Sequence, residues 1–159
     1  MTTAINHLGR WQPMWQQLGP MSPLSELFDA LMQRYAEPDC YYRTMQHLDE
    51  CFANFDVVRD EATHPAEIEL ELWFHDAIYD VKGHDSELQS AHWAQSMLLS
   101  AGGTTTVAER VHALVMVTRH NALPASFDEQ ILVDVDPSIL AARPARFAEY
   151  ETQVRAEYA

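Results

Sequence analysis

Apolar residues along this chain recur mainly at spacings of three and four, the pattern of helices buried along one face. After Pro20, Ser22 and Pro23, the stripe Leu24, Leu27, Phe28 and Leu31 predicts a helix to about Tyr35, closed by Pro38. Met45, Leu48, Cys51, Phe52 and Phe55 predict a second from about Tyr42 to Val58, with His47 beside the stripe. Thr63-His64-Pro65 opens a third, to about Tyr79. Within it, Ile68-Glu69-Leu70-Glu71-Leu72 alternates as a strand would. The run continues as Trp73-Phe74-His75-Asp76-Ala77-Ile78, poor in β-branched residues and without a turn signal. A helix buried on most sides accounts for it better than a strand.

Asp80 to Asp85, with Gly83, reads as a loop. Ser86 to Ser100 is the fourth long helix, with Ala91, Ala94, Met97 and Leu98 inward, and Gly102-Gly103 stops it. Thr104 to His120 is the fifth, carrying Val107, Val111, Leu114, Val115 and Thr118 on one face. Asn121 to Ser126 is a loop. A short helix from about Phe127 leads into Asp134-Val135-Asp136-Pro137, and Phe147, Tyr150, Val154 and Tyr158 predict a docked terminal helix. Residues 1–20, with Trp11 and Trp15, form an arm or short helix. Packing on the chain's own domain is its simplest role, because exposed apolar patches are uncommon on monomers. The prediction is an all-α, single-domain helical bundle, with the main helical domain over 21–159.

Composition adds limits. A chain of 159 residues with 47% hydrophobic residues suits one domain with a real core. No apolar run approaches the roughly 20 residues a membrane span needs. Met1 to Pro20 is polar and does not read as a secretory signal, so the expected location is cytoplasmic. Twenty-four acidic residues against 10 basic ones give a formal net charge of -14, which repels nucleic-acid polymers and anionic membranes. A small phosphorylated partner remains compatible, because a bound cation reverses the local field. A homo-oligomer is equally compatible. Cys40 and Cys51 are too few for a disulfide framework and are expected as free thiols, packed in the core.

The candidate chemistry starts at His75-Asp76, which ends the apolar run Leu72-Trp73-Phe74. An imidazole and a carboxylate beside a core stretch are costly to bury without compensation, and a divalent cation is the usual compensation. His47, His120, Asp134 and Asp136 come from other elements, and a helical bundle can bring them around one ion. Taken singly, each is more often a structural histidine or a cap.

The ordered set resembles the HD-domain superfamily of metal-dependent phosphohydrolases, in particular its uncharacterised bacterial branch. The residues that carry the resemblance begin with Tyr42-Arg43-Thr44-Met45-Gln46-His47-Leu48 and Leu72-Trp73-Phe74-His75-Asp76-Ala77-Ile78-Tyr79-Asp80. They continue through Asp85-Ser86-Glu87 with Ser90-Ala91, Thr118-Arg119-His120, and Leu132-Val133-Asp134-Val135-Asp136 with Ile139-Leu140. The likeness spans about Leu24 to Tyr158.

What the resemblance implies is a bundle of the HD-domain type with His47, His75, Asp76 and Asp136 as metal ligands. Asp134 is the close alternative for the last ligand and otherwise a candidate catalytic acid. Glu87 matches an acid that orients or deprotonates a water. His120 matches a histidine that contacts phosphate or a second metal. Arg43 stands where this branch usually has a histidine, Pro137 where it has a leucine and Ser86 where it has an asparagine. A guanidinium at position 43 could hold a phosphate bidentately. The mixed N/O set suits Mn, Fe, Co, Ni, Mg or Zn. The implied activity is hydrolysis of a small phosphomonoester or nucleotide by metal-activated water. The alternative is a module that keeps the metal pocket for a regulatory role. A third reading, an interaction protein without metal, rests on Trp11, Met14, Trp15 and Met21 as a docking surface.

Overall fold

Pro65 starts a ten-residue helix in which every residue from Ala66 to Phe74 is buried. Among the described residues, helices from before and after it in the chain pack against it. The computed structural model describes residues 7–19, 25–36, 45–75, 86–118, 123–135 and 144–157. In chain order these form α1 (His7–Leu18), α2 (Ser25–Tyr35), α3 (Met45–Val58), a 3-10 turn (Arg59–Glu61), α4 (Pro65–Phe74), α5 (Ser86–Ser100), α6 (Thr105–Val117), α7 (Phe127–Val135) and α8 (Pro144–Glu157). Among the described residues there is no strand, and the fold is all-α. None of these helices is long and apolar enough to cross a membrane.

The ambiguous alternation over Ile68–Leu72 is helical, and its acidic positions are buried with the rest: Glu67, Glu69 and Glu71 lie in the interior beside Leu70, Leu72 and Trp73. A buried carboxylate needs partners, because stripping its hydration is otherwise prohibitive. Two of the three are met by arginines from other elements. Glu69 accepts from Arg10 of α1 at 2.6 Å and from Arg59 of the 3-10 turn at 2.9 Å. Glu67 takes a two-point contact from Arg110 of α6, at 2.8 and 2.9 Å. Arg10 also grips both oxygens of Asp56 on α3 and stacks its guanidinium over the Phe52 ring. Burial works against the Arg10 charge, but the hydrogen bonds and fields of Asp56 and Glu69 outweigh it and hold the group above its ordinary value.

The start of α4 is capped from outside. His64 occupies its N-cap position but makes no side-chain cap bond. Instead Asp128 of α7 accepts the backbone N–H groups of Thr63 and His64 at 2.8 and 2.9 Å. The carboxylate thus satisfies two donors at the helix entrance and favours the positive end of its dipole. At the other end, His75 keeps helical backbone angles and donates its N–H to the Glu71 carbonyl.

Trp11, Met14 and Trp15 of α1 are in the same core as α4. Trp11 meets Trp73 edge-on at 5.3 Å, and Phe52 lies 4.9 Å from Trp73 on another side. The side chains that an interaction arm would have displayed are therefore interior, apart from Met21, which lies outside the described residues. The α5–α6 hairpin closes as the Gly102-Gly103 pair predicts. Gly102 has φ of 100°, its N–H bonds back to Leu99, and Gly103 bonds back to Leu98. Thr104 then caps α6 through the Val107 N–H.

The terminal helix forms and docks on α3, less deeply than the core helices. Phe147, Tyr150 and Val154 of α8 are only half-buried, and Tyr158 lies outside the described residues. Polar pairs carry its contact with α3: Arg146 donates to Glu50 at 2.6 Å, and Gln153 donates to Gln46 at 3.1 Å.

Candidate metal centre

The centre is built where α3 passes the C-terminal end of α4. His47 lies in the first turn of α3, and Cys51 follows it by four residues, hence on the same face one turn on. His75 stands at the end of α4. Both histidines are 3% exposed and Cys51 is 1% exposed. The imidazoles face one another at a tilt, with ring centroids 5.7 Å apart. The Cys51 sulfur lies 3.9 Å from His47 Nδ1 and 3.7 Å from Nε2. One donor atom from each of the three residues falls within 4.8 Å of the others.

His75 carries a further constraint. Its Nδ1 lies 2.9 Å from the Leu72 carbonyl oxygen. A carbonyl only accepts, so the bond places a proton on Nδ1. Metal-binding histidines are commonly held in this way, with one ring nitrogen fixed by backbone and the other presented.

A cation could be held by His47, Cys51 and His75. The donor chemistry fits: two imidazoles and one thiol are all ligands for transition ions. A tetrahedral ion with ligands at about 2.0–2.3 Å keeps its donors about 3.3–3.6 Å apart, so small side-chain rotations suffice.

The structure thus brings together two of the four expected ligands, His47 and His75. Asp76 and Asp136 lie outside the described residues, as do Arg43 and His120. Glu87 is half-buried in the first turn of α5. Asp134 is exposed on α7 and lines a cleft with Asn54, Glu61 and Gln130, whose lining includes none of His47, Cys51 and His75. Cys51 is the residue that the sequence reading placed only in the core. Its four-residue offset from His47 is the signal, since that offset puts two donors on one helix face. Glu71 is also fully buried, one turn before His75 on α4.

A second described cleft, of about 290 Å³, opens at the other end of α4. It is lined by His64, Glu67, Arg110, Phe127 and Asp128, among others. Eight residues of helix separate Glu67 from His75, roughly 12 Å at 1.5 Å per residue, so this cleft is distinct from the cluster. Arg110 and Glu67 pair across it, and that bond with Glu67 is the main reason the Arg110 guanidinium is held above its ordinary value.

Compared with known family models, with curated proteins and with solved structures, the chain matches none.

Proposed function

We propose that this chain is a metal-dependent phosphohydrolase of the HD-domain type, acting on a small phosphomonoester or nucleotide. One observation supports the reading above the rest. His47 and His75, which the sequence resemblance pairs as the first two ligands, come from separate helices and face each other in the interior. Asp76 and Asp136 complete the ligand set in this reading. A divalent ion held there supplies Lewis acidity, lowering the pKa of a bound water and neutralising phosphoryl oxygens.

The chain's own residues do the rest. His75, anchored through Nδ1 to the Leu72 carbonyl, holds its ring beside His47. Glu87 orients or deprotonates the attacking water. It is preferred to Asp134, because Glu87 is half-buried and Asp134 is exposed. Arg43 grips the phosphate and His120 contacts it. The partner is a small phosphorylated molecule of the cytoplasm. A net charge of -14 disfavours a nucleic-acid polymer or an anionic membrane.

The test strips the protein with chelator and restores each divalent ion in turn. A generic phosphomonoester and a nucleotide panel are the substrates. Turnover is expected only with a restored ion, and His75→Ala and Asp76→Ala are expected to lose both bound metal and turnover. Metal content equal in wild type and variants would refute the ligand assignment. Arg43, in place of the usual histidine, favours a second reading in which the pocket binds metal and a phosphorylated ligand for regulation. Bound metal and a nucleotide-induced rise in melting temperature, without turnover, select that second reading.

A further inference from the structure

We infer that Cys51 is itself a ligand at this centre, so that a sulfur donor joins the nitrogen and oxygen ligands and the site selects zinc-class cations over magnesium. The inference rests on the reading of His47 and His75 as ligands and narrows which ion they hold.

A buried thiol is usually a small apolar filler. Cys51 is placed differently. Its sulfur is within 4 Å of both ring nitrogens of His47, at 3.9 and 3.7 Å. It also lies within 4.8 Å of a donor nitrogen of His75, which arrives from another helix. Two donors one turn apart on α3 and a third from the end of α4 give a three-point bite from two rigid elements. On binding, the sulfur–metal bond forms, the thiol proton passes to solvent buffer, and no electron changes hands. Thiolate is a soft ligand. It favours zinc, cobalt(II) or iron and disfavours magnesium, which prefers oxygen.

Cobalt(II) is the probe. Metal-free protein titrated with cobalt is expected to show visible ligand-field bands together with a thiolate-to-cobalt charge-transfer band in the near ultraviolet. Cys40→Ser should keep that near-ultraviolet band. Cys51→Ser should lose it while keeping the visible bands from the histidines, with zinc affinity lower by at least on the order of tenfold. Excess magnesium should not displace the cobalt. Visible bands without the thiolate band in wild type overturn the inference and leave the histidine site standing. No cobalt bound at all overturns both. If Cys51→Ser does not fold, the spectra of wild type and Cys40→Ser decide the matter alone.

Discussion

Arg10 and Glu69 join the first helix to the central one through a 2.6 Å contact, with the Glu69 side chain 4% exposed. Removing the guanidinium leaves the carboxylate in the interior with Arg59 as its remaining arginine partner. Arg10→Ala is therefore expected to destabilise the fold by roughly 3 kcal/mol, in the range for breaking a buried ion pair. Adding Glu69→Leu should recover part of that loss, because the stranded charge is gone. Urea midpoints of the single and double variants measure both effects.

Asp56 shares Arg10, and that hydrogen bond is the main reason its carboxyl is held below the ordinary value, with Arg10 and Arg59 charges adding to it. Because the folded-state value is the lower one, the unfolded chain takes up the proton first on acidification. The contribution is complete above the ordinary carboxyl range and declines as pH falls through the folded value. Arg10→Ala should therefore flatten the loss of stability below about pH 4, read from melting temperatures across the acid range.

Asp128 should matter more than its place in a short peripheral helix suggests. Asp128→Ala leaves the N–H groups of Thr63 and His64 without their acceptor. A loss of about 1–2 kcal/mol is expected, the range for a helix N-cap. Asp128→Asn keeps one acceptor oxygen and should fall between wild type and alanine. If Asn and Ala are equally destabilised, the carboxylate's charge is the dominant contribution.

Gly102 closes the α5–α6 turn with φ of 100°, and a Cβ built there meets nothing within 4 Å. Space is therefore not the obstacle to a side chain; the backbone conformation is. Gly102→Ala should cost about 1–2 kcal/mol from that strain. Thermal unfolding tests this, and an unchanged melting temperature would show that the turn relaxes into another conformation.

His112 of α6 stacks on His92 of α5, with ring centroids 5.4 Å apart and planes 29° from parallel. Burial, and then the field of His92, hold the His112 imidazole below its ordinary value. In the window just below that value, near pH 6.5, the unfolded chain binds the proton more readily than the folded one. Stability falls with pH there and levels off once the folded-state ring is also protonated. His112→Gln should weaken this dependence, seen as a smaller drop in melting temperature between about pH 7.5 and 5.

The helix periods made the all-α class legible, because each long segment repeats its apolar residues on one face. The stop at Gly102-Gly103 was legible from its glycines, and the next helix was expected to open at Thr104, which caps it. A helix buried on most sides was legible over Ile68–Phe74, and α4 is that helix. The partners of its carboxylates were not, since Arg10 and Arg59 reach Glu69 from distant parts of the chain. No local pattern encodes those meetings. His47 and His75 were legible as candidate ligands through the family likeness, whereas Cys51 looked like one more apolar position on a regular stripe. The stripe on α8 marked its more covered face, while the arginine and glutamine that fasten the helix to α3 gave no apolar signal.

Arginines reach α4 from three elements: Arg10 of α1 and Arg59 of the 3-10 turn at Glu69, and Arg110 of α6 at Glu67. Such a rod can neither spin about its axis nor slip lengthwise without stranding a carboxylate. The imidazole at its tip is consequently set in position during folding, before any cation arrives. Little ordering is left for a ligand to impose there, so capture of an ion should behave as docking into a rigid seat, with a small entropy loss and little change in the surrounding helices.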